Sequence, residues 1–131
     1  GGPDEAALVE QIAALLHQPP LVLVGQTSVG QLAAILRRAR LVLGVDSGPL
    51  HIAVSQGTPS IHLFGPSDSG RFGPWGNRHI HKVIRMGLWC SPCGVFAACP
   101  RDTSPPECME RINSTVVSSI ALQLLGYEKT A

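Results

Sequence analysis

One stretch constrains this chain more than any other: Leu41–Gly57, LVLGVDSGPLHIAVSQG. Leu41, Val42 and Leu43 form an apolar run that predicts a buried strand, and the residues from Pro49 predict a helix. Asp46, Ser47 and Gly48 lie between them. Proline suits a first helical position, because the N–H it lacks is one the helix could not use. Ser47 or Gly48 then serves as N-cap, leaving free amides beyond the end of the strand. Open α/β sheets bind ligands at that corner, and a helix N-terminus favours phosphate. The alternative is that Asp46 and Ser47 simply cap a helix.

The flanking segments extend the pattern. A helix is expected from Pro3 to about His17, with Leu8, Ile12, Leu15 and Leu16 as its buried stripe and Pro19-Pro20 as its stop. Leu21–Val24 reads as a short strand closed by Gly25. Ser28 and Gln31 make a capping box for a helix that buries Leu32, Ile35 and Leu36 and ends near Arg38. Gly57-Thr58-Pro59 turns into a strand over Ser60–Phe64, with His62 in a run expected to be buried on both faces. Alternation of strand and helix implies parallel neighbours with right-handed crossovers, a doubly wound α/β layer. Three strands are few for such a sheet and none precedes the first helix, so a preceding N-terminal portion is expected.

Beyond Phe64 the texture changes. Gly65–Gly76 is an irregular Gly- and Pro-rich loop, and His79–Ile84 can form a last strand. Residues 87–111 carry all four cysteines in a stretch where regular structure is doubtful. A closing helix from Ser114 buries Val117, Ile120, Ala121 and Leu124 and stops at Gly126.

At 131 residues the chain suits a single domain, and 44% hydrophobic against 15% charged residues permits a core and argues against disorder. A net charge of +1 gives no electrostatic case for nucleic acid. Arg37, Arg38 and Arg40 cluster at a predicted helix C-terminus, where cations complement the dipole; a membrane-facing patch is the alternative. No apolar run approaches the ~20 residues that span a bilayer.

Several side chains carry more than one reading. Gly44-Val45-Asp46-Ser47-Gly48 has the spacing of a hydrolase nucleophile elbow with aspartate as nucleophile, for which His62, His79 or His81 would serve as base. The position of Pro49 and the short sheet fit that fold poorly. In a phosphate site, Ser47 and Gly48 offer amides and a hydroxyl, while Asp46, itself negative, orients a sugar hydroxyl or ties down the loop. His51 either reaches a phosphate or sugar oxygen or is a partly buried, satisfied histidine. His79 and His81 share a strand face, as a metal pair without a third partner or as a solvated face. Trp75 and Trp89 stack on a ligand or fill a small loop core. Arg71 is an additional cation for phosphate. Cys90, Cys93, Cys99 and Cys108 are compatible with tetrahedral Zn²⁺, with disulfides or with free thiols; the gaps after Cys93 are not those of a standard zinc ribbon.

The motif set Asp46-Ser47-Gly48-Pro49-Leu50-His51-Ile52-Ala53, then Gly57-Thr58-Pro59, then Phe64-Gly65-Pro66-Ser67-Asp68, resembles glycosyltransferase family 9, the family of the ADP-heptose:lipopolysaccharide heptosyltransferases. Gly1–Glu5, Gly25–Ser28 and Cys90-Ser91-Pro92-Cys93 also fit it, so the resemblance runs from Gly1 to about Val117. It implies a Rossmann-like three-layer parallel sheet belonging to the C-terminal, donor-binding half of a GT-B fold. It assigns the donor diphosphate and sugar to Asp46, Ser47, Gly48 and His51. The nucleotide loop would be Thr27 and Ser28, and Ser67 and Asp68 would lie near the donor sugar, with Arg71 beside them. It implies inverting transfer from a nucleotide sugar, ADP-linked, to a lipid-linked glycan acceptor, with no required metal cofactor. The catalytic base and a donor-contacting lysine are expected outside this chain, which alone would hold an incomplete site. Cytoplasmic placement at the inner face of the inner membrane, and pairing of two copies through an exposed sheet edge, are further expectations.

Overall fold

The computed structural model describes residues 2–126. A 3-10 turn, Pro3–Glu5, leads into α1 (Ala6–Ala14), followed by α2 (Val29–Arg38), β1 (Val42–Val45), α3 (Gly48–Ser55) and β2 (Ser60–Phe64). A short α4 (Ser69–Phe72), β3 (His81–Arg85), a one-turn α5 (Glu107–Glu110) and α6 (Ser114–Leu124) complete it. The three strands form one parallel sheet in the order β1-β2-β3. The expected α/β class and parallel pairing are therefore present.

The central strand is the buried one. Ser60, Ile61, His62 and Phe64 are buried, and the core around them takes in Leu50, Ala53, Val54 and Cys108. Register places Gly44 of β1 beside His62 and Val83 of β3 on its other side. A side chain at Gly44 would meet Leu50, so α3 lies on that face of the sheet. The α2 C-terminus is tied to the start of β2 by the Thr58 hydroxyl, which donates to the Leu36 carbonyl at 2.9 Å.

Local signals account for most boundaries. Ser28 and Gln31 form the reciprocal capping box that opens α2. Asn113 Oδ1 accepts from the Thr115 and Val116 amides at the start of α6, and Gly126 ends that helix with φ +79. Its expected stripe, Val117, Ile120, Ala121 and Leu124, is half-buried.

Four expectations need correction. Leu21–Val24 is not a strand. Pro19 and Pro20 cannot donate to a ladder, and β propensity without a paired neighbour does not hold a strand. The stripe of α1 is not buried: Leu8 and Ile12 are 56% and 52% exposed, and Leu15 and Leu16 lie beyond the helix. Periodicity defines an apolar face without supplying what covers it. The last strand begins at His81, so His79 and His81 do not share a strand face; the His79 amide instead donates to Asn77 Oδ1 in the preceding turn. The Gly65–Gly76 loop is not wholly irregular, since Asp68 caps α4 by accepting from the Gly70 amide at 2.8 Å.

Candidate functional site

The turn between β1 and α3 is open. Gly48 and Pro49 are exposed, and Asp46 and Ser47 are half-buried. A Cβ placed on Gly48 would meet nothing within 4 Å. Its backbone is not in the left-handed region, so nothing within the chain requires glycine there.

The geometry narrows which donors this turn can offer. Ser47 is the N-cap, in extended conformation, with Gly48 first and Pro49 second in the helix. This shifts the proline one position from the sequence expectation. Pro49 has no N–H, and the Leu50 amide turns back to the Ser47 carbonyl at 3.1 Å. The Gly48 amide is left free at the start of the turn, beside a Ser47 hydroxyl that makes no capping bond.

Asp46 and His51 face each other across this turn, with His51 Nε2 3.7 Å from Asp46 Oδ1 and side chains 20% and 38% exposed. That separation permits an ion pair when His51 is protonated and is too long for a hydrogen bond. Behind His51 stands His62, its ring edge-on at 6.3 Å between centroids and 61° between planes. Its Nε2 lies 2.8 Å from Ser60 Oγ, and Ser60 Oγ lies 2.8 Å from His81 Nδ1. Burial, with the neighbouring His51 and His81, lowers the pKa of His62 from 6.5 to about 4. Burial lowers that of His81 as well. Both rings are thus neutral near pH 7.

The structure brings Asp46, Ser47, Gly48 and His51 together and adds Ser60, His62 and His81, which the motif did not include. His62 between Ile61 and Leu63 was the visible signal; its partners depend on strand register. His81 is 6% exposed and hydrogen-bonded, so a solvated face does not describe it.

The remaining candidates have contacts of their own. Ser28 is used as the α2 cap, and Thr27 precedes it. Ser67 is buried at 5% exposure. Arg71 lies over the Phe72 ring at 5.0 Å. Asp68 lines a cleft of about 440 Å³ with His81, Arg78, Lys82 and Arg85. Arg40 donates to the Leu125 carbonyl at 2.9 Å, which places it at the α6 C-terminus rather than in a free surface patch. Trp75 and Trp89 are 65% and 86% exposed, so neither fills a loop core; Trp89 stacks with Arg101 at 5.6 Å.

All four cysteines are free thiols and line one largely apolar cavity of about 430 Å³. Their segment is anchored to the loop after β2, where Ser91 Oγ donates to the Gly65 carbonyl and the Gly94 amide to that of Pro66. Burial raises the pKa of Cys108, while the Thr103 hydroxyl, donating to Cys99 Sγ at 3.3 Å, lowers that of Cys99. Among the described residues, no three His, Cys, Asp or Glu side chains converge closely enough to hold a metal ion. Among them, too, no helix is long and apolar enough to cross a membrane.

A parallel α/β sheet with an open turn at its strand ends defines a Rossmann-like fold of the kind that receives ligands at that corner. The chain belongs to glycosyltransferase family 9, the heptosyltransferase family, whose family model matches residues 1–99. It is 44% identical over 73 residues to the lipopolysaccharide core heptosyltransferase OpsX of Haemophilus influenzae, covering 56% of this chain and 21% of that protein. It is 42% identical over 78 residues to lipopolysaccharide heptosyltransferase 3 of Escherichia coli, covering 59% and 23%. The matched stretches therefore cover under a quarter of the length of these relatives. The crystal structure of a family 9 glycosyltransferase from Veillonella parvula superposes with a TM-score of 0.76 at 27% identity, covering 98% of this chain and 36% of that one. The ADP-heptose lipopolysaccharide heptosyltransferase II of E. coli shares the fold at a TM-score of 0.75 and 22% identity, covering 99% and 36%.

Proposed function

We propose that this chain is the donor-binding part, in the C-terminal half, of an inverting GT-B glycosyltransferase. The whole enzyme would move a heptose-like sugar from a nucleotide-diphosphate sugar, with ADP as nucleotide, to a lipopolysaccharide or related glycan at the cytoplasmic face of the membrane. The observation that carries this reading is the open β1–α3 turn in a chain of this family, with a free Gly48 amide and an uncommitted Ser47 hydroxyl.

The chemistry follows from the donors. The Gly48 amide and the Ser47 hydroxyl point hydrogen bonds at a diphosphate, assisted by the positive end of α3. Donors fixed before reaction stabilise the charge that grows on the departing diphosphate as the glycosidic bond breaks. Asp46 would repel phosphate, so its part is to accept from a sugar hydroxyl or to hold His51. When protonated, His51 adds a cation to the same corner. The proton leaving the acceptor hydroxyl goes to a base outside this chain.

Calorimetric titration with ADP tests the donor turn. Gly48→Val places a branched side chain where the diphosphate must approach the backbone amide. It should weaken binding tenfold or more, the loss of about one charge-assisted hydrogen bond. An unchanged dissociation constant refutes the assignment. The alternative, a non-catalytic nucleotide-binding or metal-stapled interaction module, is separated by this titration together with a metal assay. The aspartate-nucleophile reading instead requires turnover that survives Ser47→Ala and disappears in Asp46→Asn.

A further inference from the structure

The family motif ends at the surface of α3, but the polar row continues into the sheet. His62 is fully buried in the central strand, on the face that α3 covers. An aliphatic side chain would suit such a position better, since each buried polar atom needs a partner. Two of the three joints along His51, His62, Ser60 and His81 are made. Ser60 Oγ is 2.8 Å from both His62 Nε2 and His81 Nδ1. A hydroxyl carries one proton and two lone pairs, so it donates to at most one ring and at least one ring donates an N–H to it.

The third joint is open. His62 Nδ1 is the buried side-chain nitrogen or oxygen without a hydrogen-bond partner among the described residues. The ring that carries it stands edge-on to His51, and His51 stands 3.7 Å from Asp46. Neither contact is a hydrogen bond. Asp46, His51 and His62 therefore form a row that is anchored at Ser60 and His81 and loose toward solvent. Leu50, immediately before His51, packs over Gly44 and is buried, which anchors the backbone under His51, whose side chain is 38% exposed.

Resting on the reading of the β1–α3 turn as the diphosphate site, we propose that His62 is a positioning residue for that turn. Its Nδ1 accepts a hydrogen bond from a ring N–H of His51 when an anionic ligand occupies the Ser47–Gly48 corner. The arrangement has His62 donating Nε2–H to Ser60 and Ser60 donating to His81 Nδ1, which leaves His62 Nδ1 as a bare acceptor. No proton is transferred. His51 is held in one orientation, with its other nitrogen directed to the ligand side of the turn. A buried acceptor with no solvent to compete for it is suited to that task.

The two ring nitrogens can be tested separately. A glutamine amide reaches about as far as Nε2, and an asparagine amide about as far as Nδ1. His62→Gln keeps the bond to Ser60 and loses the group facing His51, whereas His62→Asn does the reverse. We expect His62→Gln to retain the wild-type urea midpoint more closely and yet bind ADP about tenfold more weakly. His62→Asn should be the less stable variant and the tighter binder of the two. In a His51→Ala background the His62→Gln effect on ADP binding should vanish, because the two residues act through one contact. If ADP affinity follows stability across the variants, or if His62→Gln binds as the wild type does, His62 is a structural residue and the inference is wrong. If the wild-type chain does not bind ADP at all, the donor-turn assignment fails and takes this inference with it.

Discussion

Acid should destabilise this domain chiefly through one histidine, His62. His62 is neutral in the folded chain, its pKa lowered by burial to about 4 from 6.5. Above pH 6.5 the ring is neutral in both folded and unfolded chains and contributes no pH dependence. Between 6.5 and about 4 the unfolded chain binds a proton that the folded chain excludes, so stability falls as pH falls. Each pH unit in that window removes about 1.4 kcal/mol at full slope. The whole loss approaches about 3 kcal/mol by pH 4, a large part of the stability of a domain this small. Below about 4 the contribution levels off. The lowered His81 acts with the same sign. Urea unfolding of the wild type and of His62→Gln, at intervals from pH 7.5 to 4, isolates the effect. Glutamine keeps a hydrogen-bonding group toward Ser60 and does not titrate. The wild-type midpoint should fall more steeply than that of the variant below pH 6.5, and His81 contributes to the slope that remains in the variant. Parallel curves would show that His62 is protonated in the folded chain and that its burial has been misread.

Two further predictions concern other parts of the fold. Asn113→Ala removes the side-chain oxygen that accepts the Thr115 and Val116 amides, and should lower stability by about 1 kcal/mol in the same urea experiment. Timed alkylation followed by mass spectrometry should modify Cys108 last of the four thiols, because it is buried and its pKa is raised. Early modification of Cys108 would mean that α5 does not seat it against Gly65 as the structure describes.

Much of the architecture is legible in local chemistry. The Ser28–Gln31 box and the glycine stop at Gly126 each depend on residues within a few positions and fold as their sequence predicts. The Leu41–Gly57 segment gives the expected strand, turn and helix, though its strand, Val42–Val45, is not buried as expected: Leu43 and Val45 are about half exposed, because no element among the described residues covers that face of the strand. The misread elements depend on distant partners. Leu21–Val24 has the composition of a strand and no ladder beside it, and the α1 stripe has the spacing of a core helix with Leu8 and Ile12 left half exposed. Composition reports what a segment prefers, and pairing decides what it becomes. The β1–α3 turn was legible as a place. Which amides it offers was not, because the turning back of the Leu50 N–H is a property of the backbone rather than of any residue type.

The same distinction explains why His62 escapes a motif-based reading. Asp46 through His51 are contiguous and reach the site through one turn, so a linear pattern contains them. Ser60, His62 and His81 come from two strands, and only the parallel register of β2 with β3 sets Ser60 beside His81. A buried histidine at this point lowers acid stability and leaves a nitrogen unpaired, and an aliphatic residue would do neither. Retaining it is intelligible if the nitrogen is used when the corner in front of His51 is filled. The acid titration and the Gln/Asn comparison therefore examine one claim from two sides. The first measures what His62 removes from stability, and the second measures what it contributes to binding.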